Sequence, residues 1–360
     1  MGKLHDLHRE GQSVWLDFIR RDMLGSGELE AMVGDGIRGL TSNPAIFKNA
    51  IGGSDDYDEA IAAAPEGATP VEVYESLAIA DIQAAADLLA TVHESSGGHD
   101  GFVSLEVSPH LANDSDGTIA EAHRLWGLVD RPNLMIKVPA TAAGIPAIEE
   151  LIASGINVNS TLMFSMEDYE NVAQAYVRGL RRAEHPEKVA SVASFFVSRV
   201  DTSTDNALEK NGSDKAMAQR GRAAVANAKL AYHRYQEIFE GDDFADMIAR
   251  GARPQRVLWA STGTKNPEYS DVLYVEPLIG RNTVNTMPPA TIDAFIDHGD
   301  ASKGELTDDV DGARGDIESL ADFGIDFDQI TSDLQIAGVK AFQDSFDDLL
   351  STVAQKVNQL

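Results

Sequence analysis

The chain has 360 residues, 43% of them hydrophobic, with 58 acidic against 29 basic side chains and a formal net charge of -29. That is enough apolar material for a sizeable core, as one large α/β domain or two smaller ones. The acidic excess, with no Lys/Arg-rich run to offset it, argues against nucleic acid and anionic membranes as partners, and the absence of cysteine excludes disulfides and thiolate metal sites.

In chain order, residues 3–10 form a charged lead-in without the apolar segment of an export signal. No apolar run approaches the roughly 18 residues of a membrane span, so the expectation is a cytoplasmic chain with no membrane partner. Residues 12–19 (QSVWLDFI) predict a first strand ending near Asp17, and RRDML with 28–33 (ELEAMV) predicts helix as far as Gly34. Residues 37–42 read as the second strand, which Asn43-Pro44 breaks to open a helix near Ala45. Helical periodicity runs through 55–64 and 69–89, 95–100 (SSGGHD) is a loop, 101–107 (GFVSLEV) is the third strand, and 118–129 is the helix after it.

The fourth strand, 134–139 (LMIKVP), surrounds one lysine with apolar positions, in a run short enough and apolar enough to be covered on both faces. An ammonium at Lys137 must be paired or neutral. Neutrality at pH 7 requires its pKa to fall from about 10.4 by roughly three units, about 4 kcal/mol, which burial can supply. A neutral amine is a nucleophile whose natural chemistry is a Schiff base with a carbonyl. The competing reading is a lysine that snorkels to solvent or pairs with a carboxylate.

Beyond it come a helix at 144–153, a strand at 156–162, a long amphipathic helix at 166–180 and a strand at 189–197. A helix at 215–239 with a small helix to Ala249 precedes the seventh strand, 255–261; residues 270–279 are ambiguous, and 283–287 make an eighth strand before a helix at 290–296. Eight strands alternating with helices predict an α/β chain of (β/α)₈ TIM-barrel type. A doubly wound sheet also alternates, but no G-x-G-x-x-G follows the first strand. The tail, 306–360, is acidic and helical, punctuated by Gly324 and Gly338, with a terminal helix at 339–357. Residues 1–360 are thus expected as a single barrel domain, with 306–360 a helical extension packed on it.

Asp17, Asn43, Glu106, Lys137, Asn159 with Thr161, Ser194 and Ser261 each fall at or near the C-terminal end of a different expected strand. Barrel enzymes carry their catalytic groups on that rim. Singly, each is better explained as a helix cap or turn former, but so many around one core lysine point to a site. His5 with His8 and His93 with His99 are the only histidine clusters, and both read as exposed helix or loop, so no metal is expected.

The segments GIRGLTSNPAIF (36–47) and NLMIKVPAT (133–141) resemble the two signature segments of the transaldolases, Schiff-base enzymes of the pentose phosphate pathway. The likeness extends through GFVSLEVS (101–108), GINVNSTL (155–162) and ASFFVSRVD (193–201). It implies a (β/α)₈ barrel, no cofactor, sugar-phosphate substrates, a monomer or homodimer, and, as the chain ends at Leu360, no fused isomerase domain. Residue by residue, it implies Lys137 as the amine that attacks the ketose C2, Asp17 as the base at the C4 hydroxyl, and Glu106 as an acid/base acting through a water held by Thr161. Asn43, Asn159 and Ser194 would bind the dihydroxyacetone moiety, and Arg199 the phosphate. At the seventh strand the chain departs from the family's SFR-like segment, reading WASTGTKNP (259–267), so that Ser261 is retained and Lys265 replaces an arginine as a second phosphate ligand. A simple fructose 6-phosphate aldolase that releases dihydroxyacetone is the alternative, against which Glu106 stands where those enzymes tend to carry Gln. A pyridoxal phosphate enzyme holding its cofactor on Lys137 would absorb near the visible, and a non-catalytic sugar-phosphate binder would form no covalent adduct.

Overall fold

A computed structural model describes residues 2–304 and 306–360. The described residues form eight parallel strands, β1 (Gln12–Leu16), β2 (Ile37–Thr41), β3 (Val103–Glu106), β4 (Leu134–Pro139), β5 (Val158–Met163), β6 (Ser191–Phe196), β7 (Arg256–Ala260) and β8 (Thr283–Met287). They close into a barrel in sequence order, β8 pairing β1, and α-helices intervene between successive strands except from β7 to β8, which a long connection with one short turn joins. Every strand residue but Arg38 is buried, because one face fills the barrel and the other lies under the helices. Among the described residues no helix is long and apolar enough to cross a membrane.

The barrel floor is plugged at the N-terminal ends of the strands. Trp15 fills the interior opposite Gly39, where a Cβ would come within 2.6 Å of the indole, so only glycine admits that ring. Below it, Asp100 accepts hydrogen bonds from Ser13 Oγ and from Trp15 Nε1 (2.8 Å), while Arg256 reaches Ser13 Oγ (2.9 Å) and lies 3.4 Å from Asp100. Arg256 is 5% exposed and Asp100 2%, so each charge depends on the other.

The chain departs from the sequence reading in four places. The lead-in is a helix, Lys3–Arg9, that buries Leu4 and Leu7. A 14-residue helix, Ser198–Asn211, follows β6 where none was expected. The helix expected over 215–239 is two, Asp214–Met217 and Ala223–Phe239, parted at Gly221 with φ +71°. Gly338 does not stop the last helix, which runs over Phe327–Gln359 and buries that glycine. This terminal helix crosses the C-terminal mouth of the barrel: Gln335 donates to the carbonyls of Ala140 (3.1 Å) and Leu162 (3.3 Å), Gln343 to Pro109 (3.2 Å), and Lys356 pairs with Asp58 (2.6 Å).

Candidate active site

Lys137 lies in register with Glu106 on β3 and with Asn159 on β5, near the top of the barrel interior. It is 5% exposed. Its Nζ is 3.5 Å from Glu106 Oε2, donates to the Ser42 carbonyl at 3.3 Å, and lies 5.5 Å from the centroid of the Phe342 ring on the terminal helix. The amine thus sits beside a carboxyl group rather than reaching solvent. Neither oxygen of Glu106 has a full hydrogen bond, and burial pushes its pKa up to about 7; Lys137 pulls it down and Asp17 adds a smaller upward push. Asp17, just past β1, is also pushed up by burial and held down by Lys137 and by Thr41, whose hydroxyl donates to Oδ1 at 2.8 Å. Two carboxyls thus flank one amine in different surroundings, one bare against it and one fixed by a hydroxyl, an arrangement that separates acid from base roles.

Above the amine is a cavity of about 100 Å³ lined by Asp17, Thr41, Asn43, Lys137, Thr161, Ser194, Phe196, Arg199, Ala260, Ser261, Thr286 and Phe342. Backbone strain lies at and beside its wall: Ser261, which lines it just past β7, has φ +57°, and Leu162, next to the lining Thr161 at a bulge in β5, has φ +61°. Non-glycine residues reach that region at a cost and concentrate at functional sites. At the rim, Arg199 opens the helix Ser198–Asn211 and lies over the Phe196 ring at 5.3 Å. Neither Arg199 nor Lys265 has a carboxylate partner among the described residues; partial loss of surrounding water lowers the pKa of each, and Arg199 further lowers that of Lys265, whose side chain is itself exposed. Two neighbouring cations without a carboxylate partner, in a chain of net charge -29, leave an uncompensated positive field at the rim. A larger cavity, about 360 Å³, opens among the helices Pro70–Ser95, Ser115–Val129 and the terminal helix; its lining reaches Glu106 at the end of β3 but includes no lysine.

The family model for transaldolase/fructose-6-phosphate aldolase matches residues 14–353. The chain is 50% identical to the transaldolase of Thiobacillus denitrificans, over 97% of this chain and 98% of that one. It is 48% identical to the transaldolase of Mycolicibacterium smegmatis (96% and 94%) and 46% identical to transaldolase 1 of Streptomyces coelicolor (99% and 95%).

The chain belongs to the transaldolase family.

In this transaldolase-family barrel, seven of the ten residues singled out from sequence line one cavity: Asp17, Asn43, Lys137, Thr161, Ser194, Arg199 and Ser261. Glu106 stands beside Lys137 without lining it. Asn159 is fully buried, its amide donating to Ser104 Oγ (3.0 Å) and accepting from Ser194 Oγ (2.6 Å). Lys265 lies exposed on the loop after β7, outside the lining. Asn43 also caps its helix, accepting from Ile46 N at 3.0 Å, so the cap reading and the site reading hold together at that residue. Sequence reasoning missed Thr41, Thr286, Phe196 and Phe342. Thr41 and Phe196 lay inside the quoted motifs but carried no signal of their own; Phe342 comes from a helix 205 positions after Lys137, and only the fold brings it there.

Proposed function

We propose that the chain transfers a dihydroxyacetone unit from a ketose phosphate, sedoheptulose 7-phosphate or fructose 6-phosphate, to an aldose phosphate, glyceraldehyde 3-phosphate or erythrose 4-phosphate. The observation that carries this reading is the buried Lys137 amine between Glu106 at 3.5 Å and Asp17, beneath a rim of unpartnered cations. The Lys137 amine attacks the C2 carbonyl of the ketose to give a carbinolamine. Glu106, its pKa near neutrality, supplies the proton with which the carbinolamine hydroxyl leaves as water. The buried Thr161 hydroxyl, which has no partner in the protein, is placed to hold that water. Asp17, oriented by Thr41, takes the proton of the C4 hydroxyl; the C3–C4 bond breaks, its electrons pass into the iminium as an enamine, and the aldose phosphate departs. The acceptor aldehyde then reverses these steps and hydrolysis frees the amine. Asn43, and Ser194 held by Asn159, address the dihydroxyacetone hydroxyls, and Arg199, Ser261 and Lys265 the phosphate.

The test is borohydride reduction in the presence of fructose 6-phosphate, followed by peptide mass mapping. A dihydroxyacetone adduct on the peptide containing Lys137, absent in Lys137→Arg, supports the reading. An adduct elsewhere, or full turnover by Lys137→Arg, would overturn it. Accumulation of free dihydroxyacetone with an acceptor aldose present would instead assign the lyase activity.

A further inference from the structure

The helix Ser198–Asn211, which carries Arg199 in its first turn, buries two carboxylates one turn apart, Asp201 and Asp205. Each spends both oxygens in the same pattern. Asp201 accepts from Ala224 N (2.7 Å) through Oδ1 and from the Tyr274 hydroxyl (2.9 Å) through Oδ2. Asp205 accepts from Gly221 N (2.9 Å) and from the Tyr269 hydroxyl (2.7 Å). Ala224 lies in the first turn of the helix Ala223–Phe239 and Gly221 in the turn just before it, so each carboxylate ties the approach to that helix on one side to a tyrosine on the other. Both tyrosines lie in the connection from Ser261 to Asn282, which has no regular structure beyond one turn at Glu276–Leu278. A connection of that length without helix or strand is uncommon in a compact domain and has to be held by side chains. Upstream it is anchored where Thr262 Oγ1 donates to Asn285 Oδ1 at 2.9 Å. Lys265 rides on the span between Thr262 and Tyr269, and Thr264 Oγ1 donates to the Ser270 carbonyl at 2.9 Å within it.

We propose that Asp201 and Asp205 are positioning residues which, through Tyr274 and Tyr269, clamp the loop bearing Lys265 to the helix bearing Arg199 and so fix the spacing of the two cations that receive the substrate phosphate. This rests on the phosphate reading of Arg199 and Lys265 given above. The two cations repel each other. The Thr262 anchor and the surface pairs Arg220–Glu268 (2.9 Å) and His298–Asp271 (2.8 Å) also tether the loop, but among the described residues beyond Ser261 only the two tyrosine hydroxyls bond it directly to the helix that bears Arg199. The duplication makes the joint resist rotation as well as translation, since two bonds at successive turns of one helix fix the loop at two points.

Inorganic phosphate is the probe, as a competitive inhibitor, alongside initial tryptic cleavage after Lys265. Tyr269→Phe and Tyr274→Phe each keep the ring and remove only the hydroxyl. Each is expected to raise the phosphate inhibition constant and the KM for fructose 6-phosphate by roughly five- to tenfold, the upper part of the net worth of one ordinary hydrogen bond. Reductive trapping of unphosphorylated dihydroxyacetone on Lys137 should be unchanged, and cleavage after Lys265 should be faster. Asp205→Asn, which keeps one acceptor, should fall between the parent enzyme and Asp205→Ala. If Arg199→Ala weakens phosphate inhibition while neither phenylalanine variant does, and cleavage is unaltered, the clamp is refuted and the phosphate reading stands. If Arg199→Ala leaves phosphate inhibition unchanged, the phosphate reading fails, and the cleavage rate alone decides whether the tyrosines hold the loop. Should Tyr274→Phe fail to fold, Tyr269→Phe, altering a half-buried ring, decides by itself.

Discussion

Around Lys137 the outcome is set by which carboxyl keeps its proton. Glu106 has a folded-state pKa of about 7, above the ordinary value of 4.5, because burial penalises its charge more than Lys137 rewards it. A pKa raised on folding contributes stability that is fully present below about 4.5 and is lost as pH climbs through about 7. The parent protein should therefore lose stability relative to Glu106→Gln between these limits, by up to roughly 3 kcal/mol. Urea unfolding of both proteins across that range checks it, and parallel stability curves would contradict it. Asp17 is one of the charges that raise Glu106, so Asp17→Asn should move the alkaline limb of the borohydride-trapping profile, where Glu106 loses its proton, to lower pH while abolishing C–C cleavage. A limb that stays put in this variant would separate the two carboxyls electrically. Much of this was legible in the sequence, since a lone lysine in an apolar strand and polar residues at strand ends are patterns of composition and position. Thr41, Thr286 and Phe342 were not, because each earns its place from neighbours on other elements.

At the scale of the element, the helix Ser198–Asn211 shows why periodicity fails near a site. Its inward face reads Val200, Asp201, Thr204, Asp205, Leu208: the spacing is helical, but polar residues hold three of the five places. A search for apolar repeats passes over it. The converse error occurred at Gly338, where a residue that ordinarily ends helices is instead the point of closest approach. A Cβ there would stand 3.0 Å from Leu162 Cδ2 and 3.8 Å from an Arg199 nitrogen. For Gly338→Ala, the gain in helix propensity, about 1 kcal/mol, should nearly offset the tight contact with a movable methyl. Gly338→Leu should cost roughly 1–3 kcal/mol by overpacking. It should also lift the roof from Arg199 and raise the KM for phosphorylated ketose more than that for dihydroxyacetone. Denaturation midpoints and the two KM values check this, and a leucine variant as stable as its parent would show that the helix yields freely.

Across the whole molecule, the barrel was legible from the alternation of short apolar runs with helical segments, because each strand is covered on both faces; the path of the tail over the mouth was not, since nothing local encodes where a surface helix docks. The net charge of -29 acts at this scale too. It repels a sugar phosphate at long range, while on the reading proposed above Arg199 and Lys265 attract it at contact. Spread surface charge is largely screened once the Debye length reaches about 8 Å at physiological salt, whereas the recessed contact is screened less. Raising monovalent salt from low ionic strength should therefore increase kcat/KM for fructose 6-phosphate, and a monotonic fall would show that the rim cations already dominate at a distance. The closed floor beneath Trp15 has a further outcome. With Asp100 and Arg256 locked below the indole and the terminal helix laid across the opposite end, the cavity over the amine is small, about 100 Å³. A departing aldose and an arriving one must occupy it in turn. Initial-rate plots against donor at several acceptor concentrations should accordingly be parallel lines; lines that intersect would mean that both sugars occupy the chamber at once.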